Sequence, residues 1–140
     1  MFIRSFQVDD TDAVIDLWER CDLVVPWNDP HKDIERKLKV GAELFLVGEL
    51  DGAIVASAMG GYEGHRGWVN YLAVSPNHRQ KGFGQDIMAT LEQLLLNLGC
   101  PKINLQIRST NANVIAFYNS IGYQDDNVLS LGKRLIPDDT

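Results

Sequence analysis

The sequence predicts a protein of the α/β class (α+β), with elements in the order β-αα-βββ-α-β-α-β. Residues 68–98 run from an apolar strand, through a loop with two glycines, into a long amphipathic helix. Asp51-Gly52 separates two strand-like segments and is the strongest short signal of a hairpin. Apolar residues recur at helical spacing in residues 14–21 and 114–121. Length and pattern together predict a single domain over residues 1–140.

Turn and capping residues divide the chain into these elements. The acidic run at residues 9–12 supplies oxygens that cap a first helix, and Pro26 and Pro30 bar that helix from continuing. Gly41 stops a second helix. The predicted strands are residues 2–8, 43–50, 53–62, 68–74, 102–107 and a last one around 128–135. The predicted helices contain residues 14–21, 33–40, 85–98 and 111–121.

Composition excludes several classes of protein. The net charge of −6 argues against a nucleic-acid partner, because phosphate binding needs a basic surface. No apolar run approaches the roughly 18 residues that span a membrane. The N-terminal segment lacks a secretory h-region, so we expect a cytoplasmic location. Cys21 and Cys100 lack the spacing of a metal site and are interpreted as reduced structural thiols, since a nucleophile would need a histidine and an orienting partner.

The loop at residues 79–84 has the features of an anion site. A strand that leads directly into a helix leaves free backbone N–H groups at the helix N-terminus, where anions bind. Gly82 and Gly84 leave no side chain between that backbone and a phosphate, and Arg79 and Lys81 add positive charge. Neither the Walker loop nor the three-glycine dinucleotide fingerprint matches. The pattern predicts a pyrophosphate site of another kind.

Two motifs resemble those of the GNAT acetyltransferases. The acyl-CoA loop of that family, Arg/Gln-x-x-Gly-x-Gly/Ala, reads here as Arg79-x-x-Gly82-x-Gly84 and follows a strand ending Leu72-Ala73-Val74-Ser75-Pro76. The second motif is an asparagine seven residues before a tyrosine, followed by a glycine-aromatic pair. Its members here are Asn111, Tyr118, Gly122 and Tyr123. The resemblance extends over nearly the whole chain and is to single-domain bacterial N-acetyltransferases.

The resemblance implies a fold and a co-substrate. The expected fold is a central mixed sheet of six to seven strands with about four helices on its faces. The sheet should splay open between residues 68–74 and 102–107, and acetyl-CoA should lie in that gap, its pantetheine arm paired with the backbone of Leu72 and Val74. No metal is implied. The cofactor-binding residues implied are Leu72, Ala73, Val74, Arg79, Gln80, Lys81, Gly82, Phe83, Gly84 and Asn111.

The resemblance also implies catalytic residues. Tyr118 occupies the position that donates a proton to the departing CoA thiolate, and a phenol is a protonated donor near neutral pH. The alternative is a buried core tyrosine. Many relatives place a glutamate base early in the fourth strand, where this chain has Trp68, which cannot act as a base. Glu63 or His65 is the substitute we expect. The alternatives are a solvated hairpin tip and a water chain to bulk solvent.

The acceptor side is expected at the loop between the first two helices. There an aromatic ring beside a carboxylate, at Trp27, Asn28 and Asp29, suits a cationic amine. The alternative is a rigid loop with Trp27 packed on the core and Asn28 or Asp29 capping the second helix.

The motifs together predict an N-acetyltransferase that transfers the acetyl group of acetyl-CoA to a primary amine by direct attack in a ternary complex. The acceptor would be a small molecule or a protein N-terminus, and a homodimer is a further expectation. The rival function is a non-catalytic acyl-CoA-binding or sensor module, which the tryptophan at the usual base position favours. A generic phosphate-binding domain is disfavoured by the second motif. The residues do not distinguish between acceptor amines.

Overall fold

The structure is a computed structural model that describes residues 1–139. The strands are β1 (Phe2–Ser5), β2 (Phe45–Leu50), β3 (Ala53–Tyr62), β4 (Gly67–Val74) and β5 (Ile103–Leu105). The helices are α1 (Thr11–Arg20), α2 (Pro30–Leu38), α3 (Phe83–Asn97) and α4 (Ala112–Ser120). Single 3₁₀ turns lie at Val8–Asp10, Ala42–Leu44 and Pro76–His78.

The strands form one mixed sheet in the order β1-β2-β3-β4-β5. Neighbours from β1 to β4 are antiparallel, whereas β4 and β5 are parallel. The β4–β5 pairing joins only residues 67–69 to residues 103–105. Beyond Val69, no strand of the described chain pairs with the outer edge of β4. The sheet therefore opens between its fourth and fifth strands, as predicted.

Helices cover both faces of the sheet because each carries an apolar stripe that is stabilised by burial. On one face, α1 and α2 bury Trp18 and Ile34 against Phe45 of β2. On the other face, α3 and α4 bury Leu91 and Tyr118 against β2, β3 and β4. The cleft between β4 and β5 thus has a different helical layer on each side.

A bulge lies in β4 where its pairing with β5 ends. Ser57 and Met59 of β3 pair with Ala73 and Asn70, so two residues of β4 oppose one of β3. Tyr71, in the bulge, has φ of 52°. Its carbonyl accepts a hydrogen bond from the Ser57 hydroxyl at 2.8 Å. The bulge turns Tyr71 towards the α1–α2 face and the following leucine towards the α3–α4 face.

The predicted strand around residues 128–135 is wrong, so the sheet has five strands rather than six to seven. Residues 124–139, here called the C-terminal segment, contact β5 and its flanks through side chains. Asp126 accepts hydrogen bonds from the side chains of Lys102 and Asn104 at 2.9 and 2.8 Å. Because side-chain bonds take the place of a backbone ladder, Leu129 and Leu131 stay 90% and 91% exposed. The α/β class, the mixed sheet and the four helices are confirmed.

No helix within residues 1–139 combines the length and the apolar character needed to cross a membrane.

Candidate active site

The loop between β4 and α3 adopts a conformation that exposes backbone N–H groups. Gly82 is the N-cap of α3 with φ of 80°, a region that favours glycine, and Gln80 has φ of 64°. Asp86 makes the first helical bond, from its N–H to the Gly82 carbonyl. Within residues 1–139, no acceptor is found for the amides of residues 83–85. Unbonded amides at a positive helix end are the features by which helix N-termini bind anions, and the anion site itself stays a prediction.

Gly84 has a different role from that of Gly82. A Cβ at Gly82 would meet nothing within 4 Å, whereas one at Gly84 would lie 3.1 Å from the Phe117 ring and 3.6 Å from Val74. The structure thus gives Gly84 a packing role, and its predicted role of keeping a side chain away from a phosphate stays a prediction. Gly84 lets α4 and the end of β4 approach the start of α3, which brings the two predicted motifs into contact.

The basic side chains of the loop lie at its surface. Arg79 and Lys81 are exposed, and Nε of Arg79 donates to the Val74 carbonyl at 3.3 Å. The His78 ring lies on Phe83 with ring centroids 6.3 Å apart. Its Nδ1 is shielded from solvent and has no hydrogen-bond partner among the described residues. An unpaired polar atom beside free amides suits a loop that binds a polar ligand.

The last residues of β4 form an open strand edge. Leu72 and Val74 are half-buried on the α3–α4 face, and Ala73 is buried on the other. Their strand pairs with β3 on one side, while the other side faces the opening of the sheet. An extended arm of a ligand could add there as a further strand.

Tyr118 lies in the core of the α3–α4 face and is 6% exposed. Its ring packs edge-on against Phe117 and Tyr123, at centroid distances of 5.2 and 5.4 Å. Burial raises the pKa of Tyr118 well above its ordinary value, because a phenolate is poorly solvated there. The raised pKa keeps the hydroxyl protonated, and no acceptor for its hydrogen is found within residues 1–139.

Asn111 begins α4, as its sequence position predicts. Its side chain accepts a hydrogen bond from the Val114 N–H at 3.3 Å and so caps the helix. Its contact with the cofactor stays a prediction.

Glu63 and His65 lie at the exposed tip of the β3–β4 hairpin. One Glu63 oxygen accepts the backbone N–H groups of His65 and Arg66, the former at 2.9 Å. This carboxylate therefore stabilises its own turn. Trp68 is 40% exposed at the start of β4.

The structure of the α1–α2 loop bears out one part of the rigid-loop alternative, the cap, and contradicts the other, the packing of Trp27 on the core. Trp27 is not packed on the core, since it is 53% exposed. Its ring lies under the Arg108 guanidinium, 5.5 Å from the centroid. Asp29 caps α2 by accepting the His31 N–H at 2.9 Å. Asn28 caps nothing and instead accepts a hydrogen bond from Arg134 at 2.6 Å.

Sequence reasoning missed the contribution of the C-terminal segment to this loop. Asp138, whose side chain is 3% exposed, accepts the Asp29 N–H and a guanidinium N–H of Arg36, both at 2.8 Å. The guanidinium beside it lowers the pKa of the Asp138 carboxyl. The Tyr71 hydroxyl donates a hydrogen bond to the Asp33 carboxylate of α2, with an oxygen–oxygen distance of 2.6 Å. No local pattern signals contacts between residues more than 100 positions apart.

Comparison with known proteins decides the family. Residues 11–123 match the model of the Acetyltransferase (GNAT) family. The chain belongs to the GNAT family. An acetyltransferase of Yersinia pestis is 52% identical over 99% of this chain and 98% of its own length.

Solved structures show the same fold. The ribosomal-protein-S18-alanine N-acetyltransferase of Escherichia coli superimposes with a TM-score of 0.72 at 22% identity, over 86% of this chain and 76% of that one. The aminoglycoside N-acetyltransferase AAC(6')-Iy, in complex with a bisubstrate analogue, superimposes with a TM-score of 0.77 at 18% identity, over 95% and 97% of the two chains. As a GNAT protein, this chain is an acyltransferase enzyme, and acetyl-CoA fits as its co-substrate.

Proposed function

We propose that this GNAT protein transfers the acetyl group of acetyl-CoA to a primary amine in a ternary complex. The observation that carries the proposal is the contact at Gly84, where a Cβ would lie 3.1 Å from Phe117. It joins the free amides of α3 to the helix that bears Tyr118. An anion site, an open strand edge and a protonated phenol thereby adjoin one cleft.

The loop residues supply the binding of CoA. The amides of residues 83–85 hold the pyrophosphate, because they have no acceptor of their own and point along the helix dipole. Arg79 and Lys81 add charge, and Gln80 and Gly82 provide the backbone turn. The edge of β4 at residues 72–74 pairs with the pantetheine arm, and Asn111 contacts the cofactor from the start of α4.

The chemistry requires one bond to form and one to break. The amine nitrogen bonds to the thioester carbon, the carbon–sulfur bond breaks, and the sulfur leaves with its electron pair. Tyr118 donates its proton to that sulfur. Burial raises the pKa of Tyr118, so the phenol carries the proton that the leaving thiolate takes up. Orientation in the cleft supplies the rest of the rate gain.

The attacking nitrogen must also lose a proton. We propose His65 or Glu63 as the acceptor, or a water chain to bulk solvent. Because Glu63 is engaged in its own turn, His65 is the more available of the two. The acceptor is a small-molecule amine or a protein N-terminus, bound near Trp27, Asn28 and Asp29.

The test has two stages. First, thermal shift with acetyl-CoA, CoA and nucleotides should show stabilisation by the CoA compounds alone. Second, thiol release over a panel of amines should identify a substrate. Equal stabilisation by nucleotides would contradict the CoA assignment. Binding of acetyl-CoA without thiol release from any amine would favour the sensor function, for which Trp68 is the supporting residue.

A further inference from the structure

A cation-lined cavity lies between the C-terminal segment and α2. Its volume is about 560 Å³. The lining residues are Arg36, Gly132, Lys133, Arg134, Leu135 and Ile136. Half of them are basic and none is acidic, although the whole chain carries a net charge of −6. The residues that line the cavity are therefore positively charged, whereas the protein as a whole is negatively charged.

Three acidic groups near the cavity are engaged behind this lining. Asp138 accepts from Arg36 at 2.8 Å and lies 3.6 Å from Arg134. Asp33 accepts the Tyr71 hydroxyl, and Asp29 caps α2. In the part of the chain that the structure describes, no carboxylate contacts the Lys133 ammonium. A guanidinium has five N–H donors in a planar fork, so the two carboxylates beside Arg36, those of Asp138 and Asp33, leave further N–H donors on it.

Side-chain contacts connect the cavity to the opening of the sheet. Arg36 lies 3.5 Å from Asp33, and the Asp33 carboxylate accepts a hydrogen bond from the Tyr71 hydroxyl in the β4 bulge. Arg134 donates to Asn28 in the α1–α2 loop. Only two side-chain contacts thus separate Arg36 from the strand whose next residues form the open edge.

The two cation-binding groups expected at the α1–α2 loop each have a partner within this chain. The face of Trp27 holds Arg108 of this chain, and the nearby carboxylate of Asp29 serves α2. The Arg108 guanidinium over Trp27 and the basic residues of the cavity therefore present positive charge to an incoming molecule. Leu135 and Ile136, 83% and 66% exposed, add apolar surface beside that charge.

We propose that this cavity binds an anionic group, a carboxylate or a phosphate, carried by the amine acceptor. The inference rests on the proposed acetyl transfer for its biological meaning, but the cavity binds the anion whether or not turnover follows. Forked guanidinium donors and an unpaired ammonium recognise both anions through charge-assisted hydrogen bonds. The apolar residues suit an acceptor with a short aliphatic part next to the anion.

The test compares amines that differ only in the anion. Leucine is compared with leucinamide, and phosphoethanolamine with ethanolamine, by calorimetric titration of the protein saturated with CoA and by thiol release with acetyl-CoA. We expect the anionic member of at least one pair to be favoured about tenfold, and the pair that responds identifies carboxylate or phosphate. Binding needs no turnover, so the two readouts separate the inference from the proposed function.

A matched pair of charge variants locates the site. Lys133→Gln should reduce the preference for the anionic amine about tenfold, whereas Lys39→Gln, the same change at the exposed end of α2, should preserve it. Equal binding of anionic and neutral amines, or equal effects of the two variants, would overturn the inference. Anion preference without thiol release would leave it standing and contradict acetyl transfer. Thiol release without anion preference would contradict the inference and support acetyl transfer.

Discussion

The proposed cofactor side and the proposed acceptor side of the cleft are built in different ways. On the cofactor side, backbone conformation and apolar packing make the site: free amides follow Gly82, and Gly84 packs on Phe117. On the acceptor side, charged side chains hold distant segments together, as where Asp138 accepts the N–H of Asp29, 109 positions earlier. A site made mainly of backbone amides depends less on any single charged side chain. A site made of charge contacts can change its preference by one substitution.

This difference predicts different responses to salt. Exposed charge contacts are screened within about 10 Å at 0.1 M ionic strength, whereas buried amides and rings are not. Raising the salt concentration should therefore weaken acceptor binding more than it alters the packing of α4 on α3. The variants below test the comparison, from the largest expected effect to the smallest.

Tyr118→Phe should have the largest effect. The change keeps the buried ring and its packing on Phe117 but removes the proton donor. We expect kcat to fall about 10²–10⁴-fold, with little change in acetyl-CoA affinity. Single-turnover thiol release and calorimetry on one preparation measure the two quantities.

Tyr123→Phe is the matched control. Its hydroxyl donates to Glu92 at 2.6 Å, and burial raises the pKa of Tyr123 as it does that of Tyr118. The control should lose some stability and keep most of its turnover. Equal losses of kcat in the two variants would mean that Tyr118 acts through packing alone.

Gly82→Ala and Gly84→Ala separate conformation from packing. An alanine at Gly82 meets no atom but must adopt φ near 80°. The left-handed region costs a non-glycine residue about 1–2 kcal/mol, so we expect acetyl-CoA affinity to fall about five- to thirtyfold by calorimetry. At Gly84, overpacking of Phe117 opposes the gain in helix propensity, so mainly the melting temperature should respond. A larger loss of acetyl-CoA affinity in Gly84→Ala than in Gly82→Ala would support the prediction that Gly84 keeps a side chain away from the phosphate.

The fold and the cofactor side could be predicted because their signals are local. The hairpin at Asp51, the strand before Ser75 and the cap at Asn111 each follow from a few adjacent residues, and each occurs in the structure. The resemblance to the GNAT family predicted that the sheet opens between β4 and β5. Local pattern also explains the failure at residues 128–135, where apolar residues suggested a strand but the available edge of β5 spans three residues.

The acceptor side was less predictable because its contacts are distant in sequence. Nothing near Asn28 indicates that Arg134 donates to it, and nothing near Asp138 indicates its burial. Trp27 beside Asp29 suggested a cation site, yet a guanidinium of the same chain lies on that ring. Charged residues have many solvent-exposed roles, so their pairing depends on the tertiary fold.

Asp138→Asn should test whether the C-terminal segment shapes the acceptor side. Loss of the charge weakens the contacts with Arg36 and Arg134, and the segment should loosen over α2. We expect KM for the acceptor to rise roughly fivefold, the scale of one lost hydrogen bond, with acetyl-CoA affinity unchanged. Steady-state kinetics with both substrates measures this. A matching change in acetyl-CoA affinity would mean that the two sides are not independent.

The same carboxylate gives a pH dependence of known sign. Its guanidinium partner lowers the pKa of Asp138, so its contribution to stability is complete above the ordinary carboxyl pKa of 3.8 and is lost as pH falls through the lowered value. The NMR shift of the Asp29 amide, which donates to this carboxylate, should therefore change only below about pH 4. In Asp138→Asn, that acid-induced change should be absent.

Trp27→Ala and Asp29→Ala, which divide the α1–α2 loop into its two roles, should have the smallest effects. Trp27 is half exposed and contacts Arg108, so its loss should spare stability and raise KM for the acceptor about two- to fivefold, the scale of an exposed cation–π contact.

Asp29 caps α2, so its loss should cost about 1 kcal/mol of unfolding free energy. Because Asp29 also donates its N–H to Asp138, a weakened cap should disturb the C-terminal segment and raise KM secondarily. Chemical denaturation and steady-state kinetics on both variants distinguish these effects. If Trp27→Ala leaves KM unchanged for every amine that turns over, the acceptor does not contact this loop, and the amine binds nearer His65.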